Sequence, residues 1–143
     1  MFIVVECGMP HSVTQEALQT LPANVYVNRV WFPDEDDEPI VLYKELGQRL
    51  NECADTYEHV EKDLKDGKSV ILVNGICSYL AAAETVGLQT SYAYSLFGSI
   101  EPDYTLLIET SIPAAKVYTK RFHVDETLQA KNALRWLDQV LHR

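Results

Sequence analysis

A loop that resembles a phosphate-binding loop in its order of residues follows the first apolar run of the chain. Residues 2–6 are mostly β-branched or aromatic, and Gly8 and the helix-capping residue Ser12 come soon after them. A strand, a glycine turn and a helix in this order bring backbone N–H groups to a phosphate. An active cradle also needs further glycines, a lysine and a magnesium-binding hydroxyl. This loop has one glycine, no lysine, and Pro10, which lacks an N–H donor. We therefore predict a phosphate-binding origin without the activity.

Several side chains close to this loop could take part in acid–base or nucleophilic chemistry. His11 could contact a phosphate or transfer a proton, and Cys7 precedes a helix N-terminus, which can lower the pKa of a thiol. Glu6, Asp55 and Glu109 could face a cleft and hold a metal as paired carboxylates. No histidine and aspartate are evident as partners for a nucleophile. We therefore favour a loop histidine, a core thiol and structural or solvated carboxylates.

The apolar pattern predicts strands that alternate with helices and place this loop after a first strand. The predicted strands are 2–6, 24–32, 69–73, 104–109 and 122–125, and the predicted helices are 12–21, 40–65, 89–97, 114–121 and 126–141, with an Ala-rich segment at 78–84. Strands separated by helices imply a parallel sheet covered on both faces. We predict one α/β domain over 1–143, with three layers, α/β/α, and a parallel sheet of about four to five strands.

The composition narrows the class of protein. The chain has 143 residues, 47% of them hydrophobic, and a formal charge of -9 at pH 7. So negative a surface disfavours nucleic acids and anionic membranes as partners. Three separated cysteines and four scattered histidines show no metal-binding spacing, so we predict reduced thiols, no metal and no cofactor. No signal-like or membrane-spanning apolar run is evident, and we predict a cytoplasmic protein.

Four strings in order resemble the thymidylate kinase family of P-loop kinases. Residues 2–6 resemble the opening strand of that family, and Thr14-Gln15 resembles the end of its P-loop. Residues 53–60 are similar to its A-D-R-x-x-H helix, followed at a family-like distance by 65–71, and 102–109 are similar to its P-D-L-T-L-Y-L-D strand. The resemblance covers most of the chain and implies a P-loop kinase-like fold and a homodimer through helical faces.

The chain departs from the family where the family's chemistry is carried out. It lacks the P-loop lysine, the magnesium hydroxyl, the Asp-Arg motif after the third strand, the arginine of A-D-R, the arginine of the R-E-P turn and the lid. The corresponding positions are Ser12, Val13, 74–76, Thr56, 31–33 and 121–125. Phosphoryl transfer depends on cations around the moving group, and one arginine contact can contribute about a thousandfold or more. The combined losses predict a kinase-like scaffold without kinase activity.

The resemblance nevertheless implies where former binding sites lie. The former nucleotide-binding residues are Gly8, His11, Ser12 and Thr14, and the former substrate-pocket residues are Arg29, Trp31, Asp55, Tyr57 and Asn74. No catalytic residue is predicted.

An aromatic pair beside an acidic segment predicts a protein-binding surface. Aromatic anchors next to charged residues are typical of interfaces. The predicted partner-binding residues are Trp31, Phe32, Asp34, Glu35, Asp36, Asp37 and Glu38. The leading hypothesis is an inactive, thymidylate-kinase-like protein that binds a protein partner, with a basic surface as one option. A viral or mobile-element protein that engages or inhibits a host factor is one form of this hypothesis.

Two alternatives stay open from the sequence. The first is a divergent nucleotide-binding protein or deoxynucleoside monophosphate kinase, which the retained Thr14 and the many aromatic residues favour. The second is an acidic inhibitor that mimics DNA, which the formal charge of -9 favours. Nucleotide binding separates the first from the leading hypothesis, and strong salt dependence of a complex identifies the second.

Overall fold

A computed structural model describes residues 1–7, 15–94, 100–110 and 112–143 of the chain. Helices and strands alternate along it, as the apolar pattern predicts. The strands are β1 (Phe2–Cys7), β2 (Asn24–Val27), β3 (Val70–Val73), β4 (Tyr104–Ile108) and β5 (Glu126–Leu128), and the helices are α1 (Gln15–Leu18), α2 (Pro39–Lys65), α3 (Ile76–Thr85), α4 (Ser91–Tyr94), α5 (Pro113–Arg121) and α6 (Ala130–Leu141).

The five strands form one all-parallel sheet with the order β2-β3-β1-β4-β5. Strand β1 lies at the centre, where Val4 pairs with Leu72 of β3 and with Thr105 of β4. Every residue of β1 and β3 is buried. Apart from Glu6, both strands are continuous apolar runs, because helices cover both faces of a parallel sheet. The predicted α/β class and parallel sheet are confirmed.

Two hydrophobic cores lie on opposite faces of the sheet. The first contains Phe2 and Val4 of β1 together with residues of α2, α3 and α4. The second contains Ile3 and Val5 of β1 together with Leu18 of α1 and residues of α6. Alternate side chains of a strand point to opposite faces, which explains how one strand supplies both cores.

The predicted boundaries differ most from the structure at three places, and the first helix, predicted at 12–21, ends at Leu18. Strand β2 ends at Val27 rather than at residue 32, because Asn28 makes the last ladder bond, from its N–H to the carbonyl of Val73 where β3 ends. Residues 122–125 are not a strand, since the N–H of Phe122 caps α5 at Tyr118. The last strand is Glu126–Leu128, which pairs with β4, so α6 begins at Ala130 instead of residue 126.

Among the described residues, no helix combines the length and the apolarity that crossing a membrane requires. The longest, α2, presents a buried stripe to the sheet, which includes Arg49 and Asp63, and carries its other charged residues outside that stripe. The described cysteines Cys7, Cys53 and Cys77 are free thiols, as predicted.

Candidate functional site

The carboxyl ends of β1, β2 and β3 lie side by side in the sheet. Strand β1 leads towards α1, which packs through Leu18 in the second core, whereas β3 leads into α3, which packs in the first core. Neighbouring parallel strands that send the chain to opposite faces open a crevice between them, and ligands of open α/β sheets bind there. The carboxyl-edge cluster comprises Glu6, Cys7, Asn28, Asn74 and Gly75.

Two asparagines close this crevice with a network of hydrogen bonds. The Asn74 side chain accepts the Cys7 N–H at 2.9 Å and donates to the carbonyl of Asn28 at 3.1 Å. The Asn28 side chain donates to the carbonyl of Asn74 at 2.8 Å and accepts the Thr56 hydroxyl at 2.7 Å. Both asparagines are buried. Backbone groups that could otherwise bind a ligand are therefore satisfied within the protein.

The backbone of Asn74 adopts a left-handed conformation with φ of 63°. Asparagine tolerates this region better than other non-glycine residues. The conformation turns the chain from β3 into α3 and brings the N–H of Gly75 to the carboxyl group of Glu6, at 3.0 Å from Oε1. The turn thus joins the end of β3 to the central strand.

Glu6 is a buried carboxyl group, only 2% exposed. Burial raises its pKa from the usual 4.5 to about 8, so it is largely protonated at neutral pH. The N–H of Gly75 and the nearby hydroxyl groups of Ser78 and Tyr118 lower this pKa in part. Neither hydroxyl completes a hydrogen bond to Oε2, which has no partner among the described residues. A neutral carboxyl group with a free oxygen therefore lies beneath the crevice.

The thiols near the crevice are not suited to nucleophilic catalysis. Burial, with a smaller contribution from Glu6, raises the pKa of Cys7 and of Cys77 to about 12. A reactive cysteine needs a lowered pKa, because the thiolate is the nucleophile. The structural role that the sequence favours for Cys7 agrees with this environment.

Arg29, which follows β2, and Arg49 of α2 are both paired with Glu52. Arg29 donates to Glu52 through Nε at 3.1 Å and through Nη2 at 2.6 Å. Arg49 donates to the same carboxylate at 3.2 Å. Glu52 therefore competes with any phosphate for both guanidinium groups.

The residues predicted for the former substrate pocket do not converge on one point. Tyr57 is buried, and its hydroxyl accepts the N–H of Ile76 at 3.4 Å beside Asn74. The side chain of Arg29 is turned to Glu52 on α2. Trp31 packs against the first core and donates its indole N–H to Glu45 at 3.1 Å, while Asp55 is exposed. The predicted nucleotide-binding residues Gly8, His11, Ser12 and Thr14 lie outside the described residues.

The predicted partner-binding segment forms an exposed turn before α2. The Asp34 carboxylate accepts the N–H of Asp36 at 2.9 Å, and the Asp34 carbonyl accepts the N–H of Asp37 at 3.0 Å. Desolvation and the neighbouring carboxylates raise the pKa of Asp37. Negative charge before a long helix is favourable because the helix N-terminus carries partial positive charge. Phe32 and Ile40, on either side of the turn, are 55% and 77% exposed.

Asn28 and the uncharged state of Glu6 were not predicted. Strand alternation places Glu6 on the same face as Phe2 and Val4, so the periodicity of β1 is a signal for its burial. No local signal identifies Asn28, whose partner Asn74 lies 46 positions later. In the described part of the chain, no three His, Cys, Asp or Glu residues lie where they could hold a metal ion together.

Comparisons of the chain with protein-family models, with curated proteins and with solved structures found no significant match. The resemblance to thymidylate kinases therefore stays a prediction based on residues.

Proposed function

We propose that this chain keeps a thymidylate-kinase-like scaffold, has no phosphoryl-transfer activity and acts by binding a protein partner. The observation that carries the proposal is the hydrogen-bonded network of Asn28 and Asn74. It occupies the edge where the resemblance implies an aspartate and an arginine near both nucleotides. Uncharged amides bonded to the backbone can neither bind magnesium through a carboxylate nor stabilise charge on a phosphoryl group.

The exposed apolar side chains support the binding part of the proposal. Phe32 is 55% exposed, although its neighbour Trp31 is packed against the core and held by Glu45. A fixed tryptophan positions an exposed phenylalanine at the start of the acidic turn 34–38. A large aromatic side chain surrounded by polar residues is typical of an interface anchor. The partner that fits this surface has an apolar pocket bordered by basic residues.

The absence of phosphoryl transfer is tested with the full chain, ATP, magnesium and dTMP. We expect no protein-dependent formation of ADP. ADP formation at ordinary kinase rates, about 1–100 per second, would overturn this part of the proposal. Titration with nucleoside monophosphates and triphosphates should also leave the melting temperature unchanged, since a ligand at a hundred times its Kd stabilises a protein by about 2.7 kcal/mol.

Partner binding is tested with matched variants of two exposed aromatic residues. Phe32 and Tyr92 are exposed to almost the same extent, 55% and 54%, but lie in different segments. A partner from extracts of the native cells should be bound by the wild type and by Tyr92→Ala. Phe32→Ala should weaken that binding by at least about tenfold, as expected for an anchor residue. Equal binding by both variants would contradict the proposed surface.

The acidic turn is tested separately from the aromatic anchor. Glu35 and Glu38 are exposed, so Glu35→Gln with Glu38→Gln removes two charges without disturbing the bonds of Asp34. We expect slower association with the partner and a weaker dependence on salt concentration. An unchanged salt dependence would exclude a basic partner surface opposite this turn.

A further inference from the structure

A cavity of about 350 Å³ lies between the sheet and the helices α3 and α5. Val4, Glu6 and Thr105 line it from the sheet, and Ile76 and Tyr118 line it from the helices. This cavity is on the face of the sheet that carries the first core, apart from the surface around Phe32. Its volume falls within the range of sites for small molecules, about 300–1,000 Å³.

Glu6 gives this cavity an unused polar group. Its Oε1 accepts the N–H of Gly75, whereas its Oε2 has no partner among the described residues. Buried polar atoms normally have a hydrogen-bond partner, and an exception calls for an explanation. Because Oε2 is enclosed in this structure, the Glu6 side chain must turn towards the cavity for a ligand group to bind its carboxyl group and remove the exception.

The charged residues around the cavity favour a positively charged ligand. Three further carboxylates line it, from Glu101, Asp103 and Asp125. The positive charge of Arg121 is countered by Glu84 at 2.5 Å, outside the lining. Acidic residues in a concave site attract cations and repel phosphates. Nucleotides and other anions are therefore poor ligands for this cavity.

The remaining lining suits an organic cation better than a metal ion. The aromatic residues Tyr57, Tyr118 and Phe122 and the aliphatic residues Ile76 and Ile100 contribute to the walls. Aromatic rings attract ammonium groups through their faces, and apolar walls bury the hydrocarbon part of a ligand. The structure thus combines an acidic group, acidic surroundings and an apolar wall in one cavity.

We propose that this cavity binds a small organic ammonium ion, with the carboxylate of Glu6 as its counter-ion. Binding of the protonated amine releases the proton of Glu6 to solvent and leaves a buried ion pair. The proposal is independent of the protein-binding surface, because none of the residues around Phe32 lines the cavity.

The release of this proton makes the affinity depend on pH. Burial raises the pKa of Glu6 to about 8, so below that pH the amine must displace a proton. The other titratable groups whose charges act on Glu6 include Cys53 and Tyr57 of α2, Cys77 and Tyr79 of α3, Tyr118 of α5 and the adjacent Cys7, and burial raises the pKa of each. They stay neutral at neutral pH. Affinity for the amine should therefore rise by up to about tenfold per pH unit below pH 8.

The test uses three probes of similar shape and different charge: benzylamine, benzyl alcohol and benzoate. Binding of each at millimolar concentration is followed by protein NMR at several pH values. We expect benzylamine alone to shift the resonances of residues that line the cavity, with a Kd that falls as the pH rises. Equal binding of benzyl alcohol or benzoate, or no binding of benzylamine, would overturn the proposal.

Three variants assign the binding to the cavity. Glu6→Gln keeps the shape and removes the counter-ion, so we expect at least about tenfold weaker benzylamine binding and no dependence on pH. Glu101→Gln, at an exposed position of the lining, should weaken it by about two- to threefold through lost attraction. Glu61→Gln removes an exposed charge on α2 outside the lining and should have no effect.

His123 also lines the cavity and is bonded to Asp125 at 3.0 Å. His123→Gln should therefore keep the pH dependence of benzylamine binding. Loss of that dependence in His123→Gln, or its persistence in Glu6→Gln, would contradict the role of Glu6. If Glu6→Gln does not fold, the pH dependence of benzylamine binding by the wild type and the affinity of Glu101→Gln still test the proposal. A wild-type affinity that does not change with pH overturns it.

Discussion

The carboxyl group of Glu6 accepts a hydrogen bond from the backbone N–H of Gly75 at 3.0 Å, which joins the central strand to the turn before α3. The contact is close because Gly75 has no side chain. A Cβ atom there would lie 3.0 Å from the hydroxyl of Tyr57 and 3.2 Å from Oε1 of Glu6. Glycine is therefore required by packing at this position, since its φ of -82° is accessible to any residue.

The first prediction concerns Gly75→Ala. The added methyl group must displace Tyr57, Glu6 or Val4, all buried, so we expect a loss of about 1–3 kcal/mol in the free energy of unfolding. Gly47→Ala is the matched control, because no atom lies within 4 Å of a Cβ at that position in α2. It should stabilise the protein by about 0.5–1 kcal/mol. Urea denaturation measures both, and equal effects would contradict the packing at Gly75.

The second prediction concerns stability and pH. The folded state binds the Glu6 proton more tightly than the unfolded state, because the pKa is raised from 4.5 to about 8. The free energy of unfolding should therefore fall as the pH rises through this window, by up to about 1.4 kcal/mol per pH unit. Glu6→Gln should remove this contribution, whereas Glu61→Gln, at an exposed position, should keep it. Identical pH profiles of urea denaturation for wild type and Glu6→Gln would refute the raised pKa.

The sequence predicts the sheet well because its inner strands are buried on both faces. The runs at 69–73 and 104–109 have continuously apolar centres at 70–73 and 106–108, and they become β3 and β4 on either side of β1. The edge strand β5 lacks this signal. It has only three residues, of which Glu126 and Thr127 are exposed, so its pairing with β4 is visible only in three dimensions.

The candidate site is harder to predict because its bonds connect distant positions. Asn28 and Asn74 are ordinary turn residues in the sequence, and their mutual bonds depend on β2 and β3 ending side by side. The burial of Glu6 is hard to predict for a different reason. A carboxylate at the end of a strand is expected to face solvent or a ligand, but α3 and α5 cover it.

The third prediction concerns Asn74. Asn74→Ala leaves the N–H of Cys7 and the carbonyl of Asn28 without their partners, and each such loss costs about 1–3 kcal/mol. Asn74→Gly loses the same bonds but relieves the left-handed backbone, where φ is 63°. We expect both variants to be destabilised. The free energy of unfolding should be about 1 kcal/mol lower for Asn74→Ala than for Asn74→Gly. Urea denaturation at constant pH measures the difference, and a glycine variant as stable as wild type would contradict the network.

The last prediction concerns the contact between α2 and β2. Asp63 accepts hydrogen bonds from the Tyr26 hydroxyl at 2.5 Å and from the Asn24 amide at 2.9 Å, and both bonds lower its pKa below the usual 3.8. The resulting stabilisation is fully present above pH 3.8 and is lost as the pH falls through the lower, folded-state pKa. Tyr26→Phe should therefore reduce the free energy of unfolding by about 1–2 kcal/mol near neutral pH.

The difference in the free energy of unfolding between Tyr26→Phe and wild type should become smaller at acidic pH. Protonation of Asp63 removes the carboxylate whose hydrogen bonds stabilise the folded state. Tyr43→Phe provides the control, since the Tyr43 hydroxyl accepts the N–H of Gln89 at 2.9 Å and involves no carboxylate. Its effect should not vary with pH over the same range. Urea denaturation between neutral pH and pH 3 distinguishes the two, and a Tyr26→Phe effect as constant as that of Tyr43→Phe would show that the bond to Asp63 does not lower its pKa.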